Sequence, residues 1–312
     1  MSRQENASVL SGFLLIGFEE THKFHLLIFA VLLSFYVGTL VINTLIILIV
    51  KTDPMLNTPM YFFLMHLAYL EVCYMSVTIP KLLENLLVNP ASISFWGCAM
   101  QMFFFLCFGV AECFLLAVMA FDRYIAICHP LRYTVIMNRN VSWKMVTGSY
   151  ICGIVVGLLH TTVTFHSSFC GVIIDHFFCE IQILLELVCG NTYLNEVQVI
   201  GVAFFAVALP FLLIILSYIG IIFTIAGMPV LESRHKAFST CSSHLIVVTL
   251  FYGTASSMYL KPKYSYSPPV DKLLSFSYTV ATPLLNPIIY SLRNKEIQGA
   301  LKKLCKKIYL FI

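Results

Sequence analysis

The chain has 312 residues, 59% of them hydrophobic and 11% charged, where a soluble domain carries about 25% charged residues. That balance excludes an ordinary soluble protein, and a net charge of +4 is too small for an electrostatic footprint on nucleic acid. Disorder and collagen drop out as well, so the question becomes how many membrane spans the chain holds.

A bilayer core about 30 Å thick takes roughly 20 apolar residues in helix, because no backbone group can stay unpaired in hydrocarbon. Before the first such run, Val9 to Phe18 is apolar but short and interrupted by Gly12 and Gly17, so no cleavable signal peptide is expected and the first span directs insertion. Leu26 to Val50 meets the length without a charge, bounded by His25 and Lys51. Six further stretches follow: Thr58 to Pro80, Trp96 to Ala120, Val141 to Phe165, Val197 to Ala226, Ala237 to Leu260 and Leu273 to Leu292. Glu71 and Glu112 sit inside the second and third, which therefore rest on their flanking apolar length. The expectation is an all-α fold: a tail at 1–25, a seven-transmembrane helix bundle at 26–292, and a cytoplasmic amphipathic helix at 293–312. No internal repeat or linker divides it.

Orientation follows from Lys and Arg in the short connections. With the N-terminus outside, the inner face holds Lys51, Arg123, Arg132, Arg139, Lys144, Arg234, Lys236, Arg293, Lys295, Lys302, Lys303, Lys306 and Lys307. Only Arg3, Lys23, Lys81, Lys261, Lys263 and Lys272 fall outside. Asn6-Ala7-Ser8 is a glycosylation acceptor that only a lumenal tail can use, in agreement with the charge bias.

In this topology Cys98, Cys170, Cys179 and Cys189 lie on the oxidising side. Four cysteines permit three pairings, and the residues alone leave these open. A cross-link from the top of span three to the loop after span four would pin that loop over the bundle, contributing about 2 to 4 kcal/mol. His176 and Cys179 could suggest a metal pair, but two ligands do not make a site.

At the inner end of span three stands Met119-Ala-Phe-Asp-Arg-Tyr-Ile-Ala-Ile-Cys-His-Pro-Leu-Arg-Tyr133. A buried unpaired Arg is costly, so Arg123 is expected to be held by Asp122 or a neighbouring helix. The string resembles the signature of the olfactory receptors, a branch of the rhodopsin-like G-protein-coupled receptors. Five more strings follow the same family in order: Leu56 to Leu64, Ile79 to Leu83, Ser217-Tyr218, Lys236 to His244, and Pro283 to Lys295. The resemblance spans essentially the whole chain.

By that resemblance, Cys98 pairs with Cys179 and Cys170 with Cys189. It also implies that Asp122, Arg123, Tyr124, Tyr218 and Tyr290 form the switch that couples ligand to a G protein. Two departures stand out: Ile42-Asn43 replaces the family's usual Gly-Asn in span one, and Glu71 replaces its usual Asp in span two. A charge at mid-membrane costs at least about 2.5 to 3.5 kcal/mol, so Glu71 and Glu112 should face inward, toward Asn43, Asn286 and each other. Two carboxylates in one dry site share a proton, bind a sodium ion, or do one in each conformational state; otherwise they are neutral hydrogen-bonded acids. Sodium is the only cofactor considered. Pro210, Pro283 and Pro287 break the helical ladder in spans five and seven.

A ligand site belongs in the outer half of the bundle. On span three Phe105, Gly109 and Glu112 share one stripe, with Leu106 and Val110 beside it. Val202 and Ala206 on span five, Tyr252, Ser256 and Tyr259 on span six, and Phe276 and Thr279 on span seven complete an apolar, aromatic lining with a few hydroxyls. Gln101 to Gly109 holds no acid to pair an amine, and span seven holds no Lys for retinal. A neutral, largely apolar volatile compound is therefore expected, acting through a stimulatory G protein and cyclic AMP as the family implies. Past span seven, Ile297, Leu301, Leu304 and Ile308 recur opposite Lys302, Lys303, Lys306 and Lys307, which reads as a helix lying on anionic lipid. The rival readings are a receptor for a metabolite outside smell, a transporter or channel, for which repeated halves are missing, and a membrane enzyme, for which no nucleophile-base set emerges.

Overall fold

The computed structural model describes residues 12–17, 24–88, 91–190, 192–259 and 268–311. Arg3, Asn6, Lys23, Lys261 and Lys263 lie outside the described residues, as do the side chains of Lys236, Tyr259, Arg293, Lys295, Lys307 and Ile308. The long apolar runs become helices α1 (His25–Thr52), α2 (Pro59–Leu87), α3 (Phe95–Cys128), α4 (Arg139–His166), α5 (Tyr193–Gly227) and α6 (Leu231–Tyr259). Helix α7 comes in three pieces, Pro268–Phe276, Ser277–Ala281 and Thr282–Arg293, and α8 (Lys295–Phe311) follows. Helix α3 is central, in contact with α2, α4, α5 and α6, while α1 packs on α2, α7 and α8.

Among the described residues, α1 to α5 are long and apolar enough to cross a membrane by length and composition alone. The other two fall short for local reasons. Helix α6 opens on Glu232, Ser233, Arg234, His235 and Lys236, and the longest regular piece of α7 has 12 residues. The bundle's exterior is apolar, with Val41, Ile151, Leu158, Phe204, Leu212 and Phe223 all exposed, a surface suited to hydrocarbon.

Capping explains the boundaries that differ from expectation. Ser94 accepts from the Gly97 amide at 3.1 Å to start α3, and Asn138 accepts from Val141 at 3.0 Å to start α4. Helix α3 stops at Cys128 because His129 precedes Pro130 and is pushed out of helical geometry. It thus runs two turns beyond Ala120, so Asp122, Arg123 and Tyr124 are helical. Helix α2 carries Pro80 within it and continues to Leu87.

Pro210 and Pro283 share a signature. Each removes the amide that would bond four residues back, and each is preceded by a wide π-helical segment, Ala203–Ala208 and Ser277–Ala281 respectively.

The all-α expectation needs one addition. Strands β1 (Gly12–Leu15), β2 (Ser92–Ser94) and β3 (Ile173–Ile174) form a small sheet ordered β2-β1-β3 at one end of the bundle. Strand β1 is antiparallel to β2, with Phe13 opposite Ile93, and parallel to β3, with Leu14 opposite Ile173. Phe13 and Leu15 are buried, Phe13 against Phe95 and Phe169. Gly12 is required because a Cβ there would collide with the Ile93 carbonyl.

Candidate functional site

A cavity of about 90 Å³ lies within the bundle. Helix α3 contributes Phe105, Leu106, Gly109, Val110 and Cys113; α5 contributes Val199, Val202, Ala203, Ala206 and Val207. The rest of the wall is Tyr74 of α2, His160 of α4, Ile181 of the loop after α4, Phe251 and Ala255 of α6, and Tyr278 of α7. The wide turn at Ala203–Ala208 bears directly on this space, since three of its residues line it.

Six residues expected from the sequence, Phe105, Leu106, Gly109, Val110, Val202 and Ala206, line the cavity. Tyr252, Ser256, Phe276 and Thr279 do not, and Tyr259's side chain is outside the described residues. Tyr252 is buried, stacks on Phe211 at 5.0 Å, and donates its hydroxyl to the Cys113 carbonyl at 3.0 Å. Thr279 bonds back to the Ser275 carbonyl at 2.6 Å, and Phe276 packs in the apolar cluster around Tyr278. On α6 the lining residues are Phe251 and Ala255, each one before Tyr252 and Ser256, and on α7 the lining residue is Tyr278, between Phe276 and Thr279. A one-residue error turns a helix face by about 100°, and the wide turn in α7 adds its own phase shift.

His160, Tyr74, Tyr278 and Ile181 escaped the sequence reading. A single His in an apolar helix does not reveal which way it faces. Helix α4 did carry one legible signal, the Gly153-Ile-Val-Val-Gly157 spacing of a close helix contact. A Cβ at Gly153 would strike the Cys107 carbonyl, and one at Gly157 would lie 3.0 Å from that of Phe103. That contact presses α4 onto α3 and turns His160 inward.

The loop after α4 roofs the cavity. Disulfides join Cys98 to Cys179 and Cys170 to Cys189, and Gln101 of α3 accepts from the Cys179 amide at 2.9 Å while donating to Val77 at 3.1 Å. Glu180, wholly buried, accepts from the hydroxyls of Ser275 and Tyr278, each at 3.3 Å. His176 Nε2 lies 3.4 Å from Glu180, yet burial and the nearby Lys272 cation push the imidazole down to about 3, keeping it neutral. Lys272 itself pairs with Asp175 at 2.6 Å.

In mid-bundle, Asn286 of α7 donates its amide to Glu71 and to Glu112, the latter at 3.4 Å. All three are at most 1% exposed. Asn43 is equally buried but donates to the Thr39 carbonyl of its own helix at 3.1 Å. Glu71 Oε2 and Asn286 Oδ1 have no hydrogen-bond partner among the described residues. Both are acceptors, so what they can take is a proton or a cation, and the donor set suits sodium as well as a shared proton.

At the far end, Arg123 bonds Asp122 through Nε at 3.1 Å and through a second guanidinium nitrogen. Asp122, 1% exposed, also accepts from the Tyr133 hydroxyl at 2.8 Å. Burial, followed by the Asp122 charge, raises the Tyr133 phenol above its ordinary value. Tyr124 rests on Gly220 of α5. Tyr218 is tied to His244 of α6 at 2.8 Å, and Tyr290 is buried with its hydroxyl unpartnered among the described residues. Helix α8 is fastened by Tyr61, which donates to Asn294 at 3.1 Å and Glu296 at 2.6 Å, and by Lys303 on Asp53 at 3.1 Å. Among the described residues no group of three His, Cys, Asp or Glu is placed to hold a metal ion.

Comparison with known proteins gives concordant results. Human olfactory receptor 10C1 is 51% identical over 303 residues, covering 97% of each chain. Human olfactory receptor 10A3 is 48% identical over 306 residues, covering 98% of each. The fold is similar to that of squid rhodopsin, with a TM-score of 0.73 over 90% of this chain and 86% of that one at 15% identity. The family model described as olfactory receptor matches residues 32–307, and on that span and those identities the chain belongs to the olfactory receptor family.

Proposed function

We propose that this receptor binds a small, neutral, mostly apolar odorant in the cavity between α3, α4, α5, α6 and α7, and that binding activates a stimulatory G protein and raises cyclic AMP. Membership of the family makes it a multi-pass plasma-membrane receptor with an odorant ligand and a G-protein partner, not an enzyme. The observation that carries the ligand class is the cavity wall, apolar or aromatic at nearly every position. The Lys and Arg bias supports an exterior N-terminus, with Asn6 as a glycan acceptor, and a cytosolic Arg123 end.

The mechanism is a population shift. With Arg123 held by Asp122, the structure has the character of a resting state. Ligand contact with α5, α6 and α7 favours an arrangement in which the Arg123 end of α6 moves outward and frees Arg123 for the G protein. The wide turns before Pro210 and Pro283 are the natural places for α5 and α7 to bend. Glu71, Glu112 and Asn286 hold a proton or a sodium ion that favours one of the two arrangements. The test is a panel of neutral volatiles applied to cells that carry the receptor, a trafficking chaperone and a cyclic-AMP reporter. A dose-dependent response is expected, and surface-expressed receptor silent to neutral compounds but responsive to amines would overturn the ligand class.

A further inference from the structure

We infer that His160 is a specificity-determining residue of the cavity, and that it selects ligands carrying a hydroxyl group. The inference rests on the reading of the cavity as the ligand site. His160 is 3% exposed and belongs to the cavity wall, and its Nδ1 has no hydrogen-bond partner among the described residues. Of the other polar groups of the wall, the Tyr278 hydroxyl is bonded to Glu180, Cys113 offers only a thiol, and Tyr74 carries a phenol whose ring packs on Phe105 at 4.9 Å. Val110, Val202 and Ala206, which line the same cavity as His160, have no side-chain group able to satisfy a ring nitrogen.

A buried polar atom without a partner is costly, so whatever enters the cavity and supplies one is favoured over a hydrocarbon of the same shape. A neutral imidazole has one donor and one acceptor, and the unpartnered Nδ1 is one or the other according to which nitrogen carries the hydrogen. A carbonyl compound satisfies only the donor edge and an ether likewise. A hydroxyl can donate or accept, so it matches the ring whichever nitrogen carries the hydrogen. The apolar remainder of the wall takes a hydrocarbon body. The class is therefore a small alcohol or phenol. Gly153 and Gly157, seven and three residues before His160, let α4 lie against the backbone of α3, so the position of His160 is tied to that close packing.

The experiment uses the full chain in lipid nanodiscs with 15N-labelled histidine, and two probes of similar size, phenol and toluene, titrated to millimolar concentration. The His160 ring signals are assigned by their loss in His160→Phe. Phenol should shift the ring nitrogens while toluene leaves them in place, and in His160→Phe phenol should bind about tenfold more weakly with toluene unchanged. Equal responses to both probes, no response to either, or ring nitrogens already hydrogen-bonded before any probe is added would overturn the inference. Should His160→Phe fail to fold, His160→Gln supplies the same assignment, so the wild-type spectra stay readable. A phenol-specific shift supports His160 even if no volatile raises cyclic AMP, an outcome that would count against the signalling reading alone.

Discussion

The phenol of Tyr218 on α5 donates to Nδ1 of His244 on α6 at 2.8 Å, and both groups are buried. The other ring nitrogen, Nε2, sits 3.1 Å from the Leu116 carbonyl of α3. A carbonyl can only accept, so Nε2 carries the hydrogen and Nδ1 is the acceptor. One imidazole thus fastens three helices close to Arg123. Replacing His244 with Ala removes both bonds, at about 1–3 kcal/mol for the groups left unpaired, and should raise ligand-independent cyclic AMP at equal surface expression. Basal signalling unchanged in that variant would argue that the three-helix tie has no part in the resting state.

Arg123 is the group that the proposed activation exposes. Arg123→Ala should abolish odorant-evoked cyclic AMP while antibody labelling still finds receptor at the cell surface. A fully responsive variant would remove Arg123 from the coupling role.

Gly153 and Gly148 lie on the same helix and make a matched pair. A Cβ at Gly153 meets the Cys107 carbonyl, whereas one at Gly148 meets nothing within 4 Å. Gly153→Ala should therefore cost roughly 1–3 kcal/mol through forced separation of α3 and α4, and Gly148→Ala should be neutral or slightly stabilising. Thermal unfolding in detergent reads both, and equal melting points for the two variants would refute the close contact.

His176 makes the roof sensitive to acid. Its folded value of about 3 lies below the 6.5 of an exposed imidazole, so the unfolded chain binds the proton first. The stability it lends is complete above about pH 6.5 and falls as pH drops from there toward 3. By pH 5 the loss reaches about 2 kcal/mol at most. His176→Phe should flatten the decline in melting temperature between pH 7 and 5, and a variant whose decline matches the parent would show that this ring is not the group titrating.

The parts of this fold that could be read from the sequence were those in which one residue type carries one physical meaning. Charge-free length revealed α1, and the cost of a buried carboxylate placed Glu71 and Glu112 together on Asn286, as the structure has them. Rotation about a helix axis was harder. Helical spacing put Tyr252, Ser256 and Thr279 on the expected lining stripes, and in the structure the hydroxyls of Tyr252 and Thr279 bond backbone carbonyls. Asn43 likewise bonds within its own helix. Strand β1 was hidden for a different reason: four residues are too few for a periodic signal, and their partners lie in two distant segments.

That strand has a consequence for how the protein is made. Gly12–Leu15 leaves the ribosome before α1, yet its two neighbours in the sheet are Ser92–Ser94 and Ile173–Ile174, the latter beyond the fourth helix. The strand can therefore meet its first partner only after two helices have been made, and its second only after four. Birth order and docking order are reversed: this strand is made before every helix of the bundle, and its sheet is complete only once the fourth has been made.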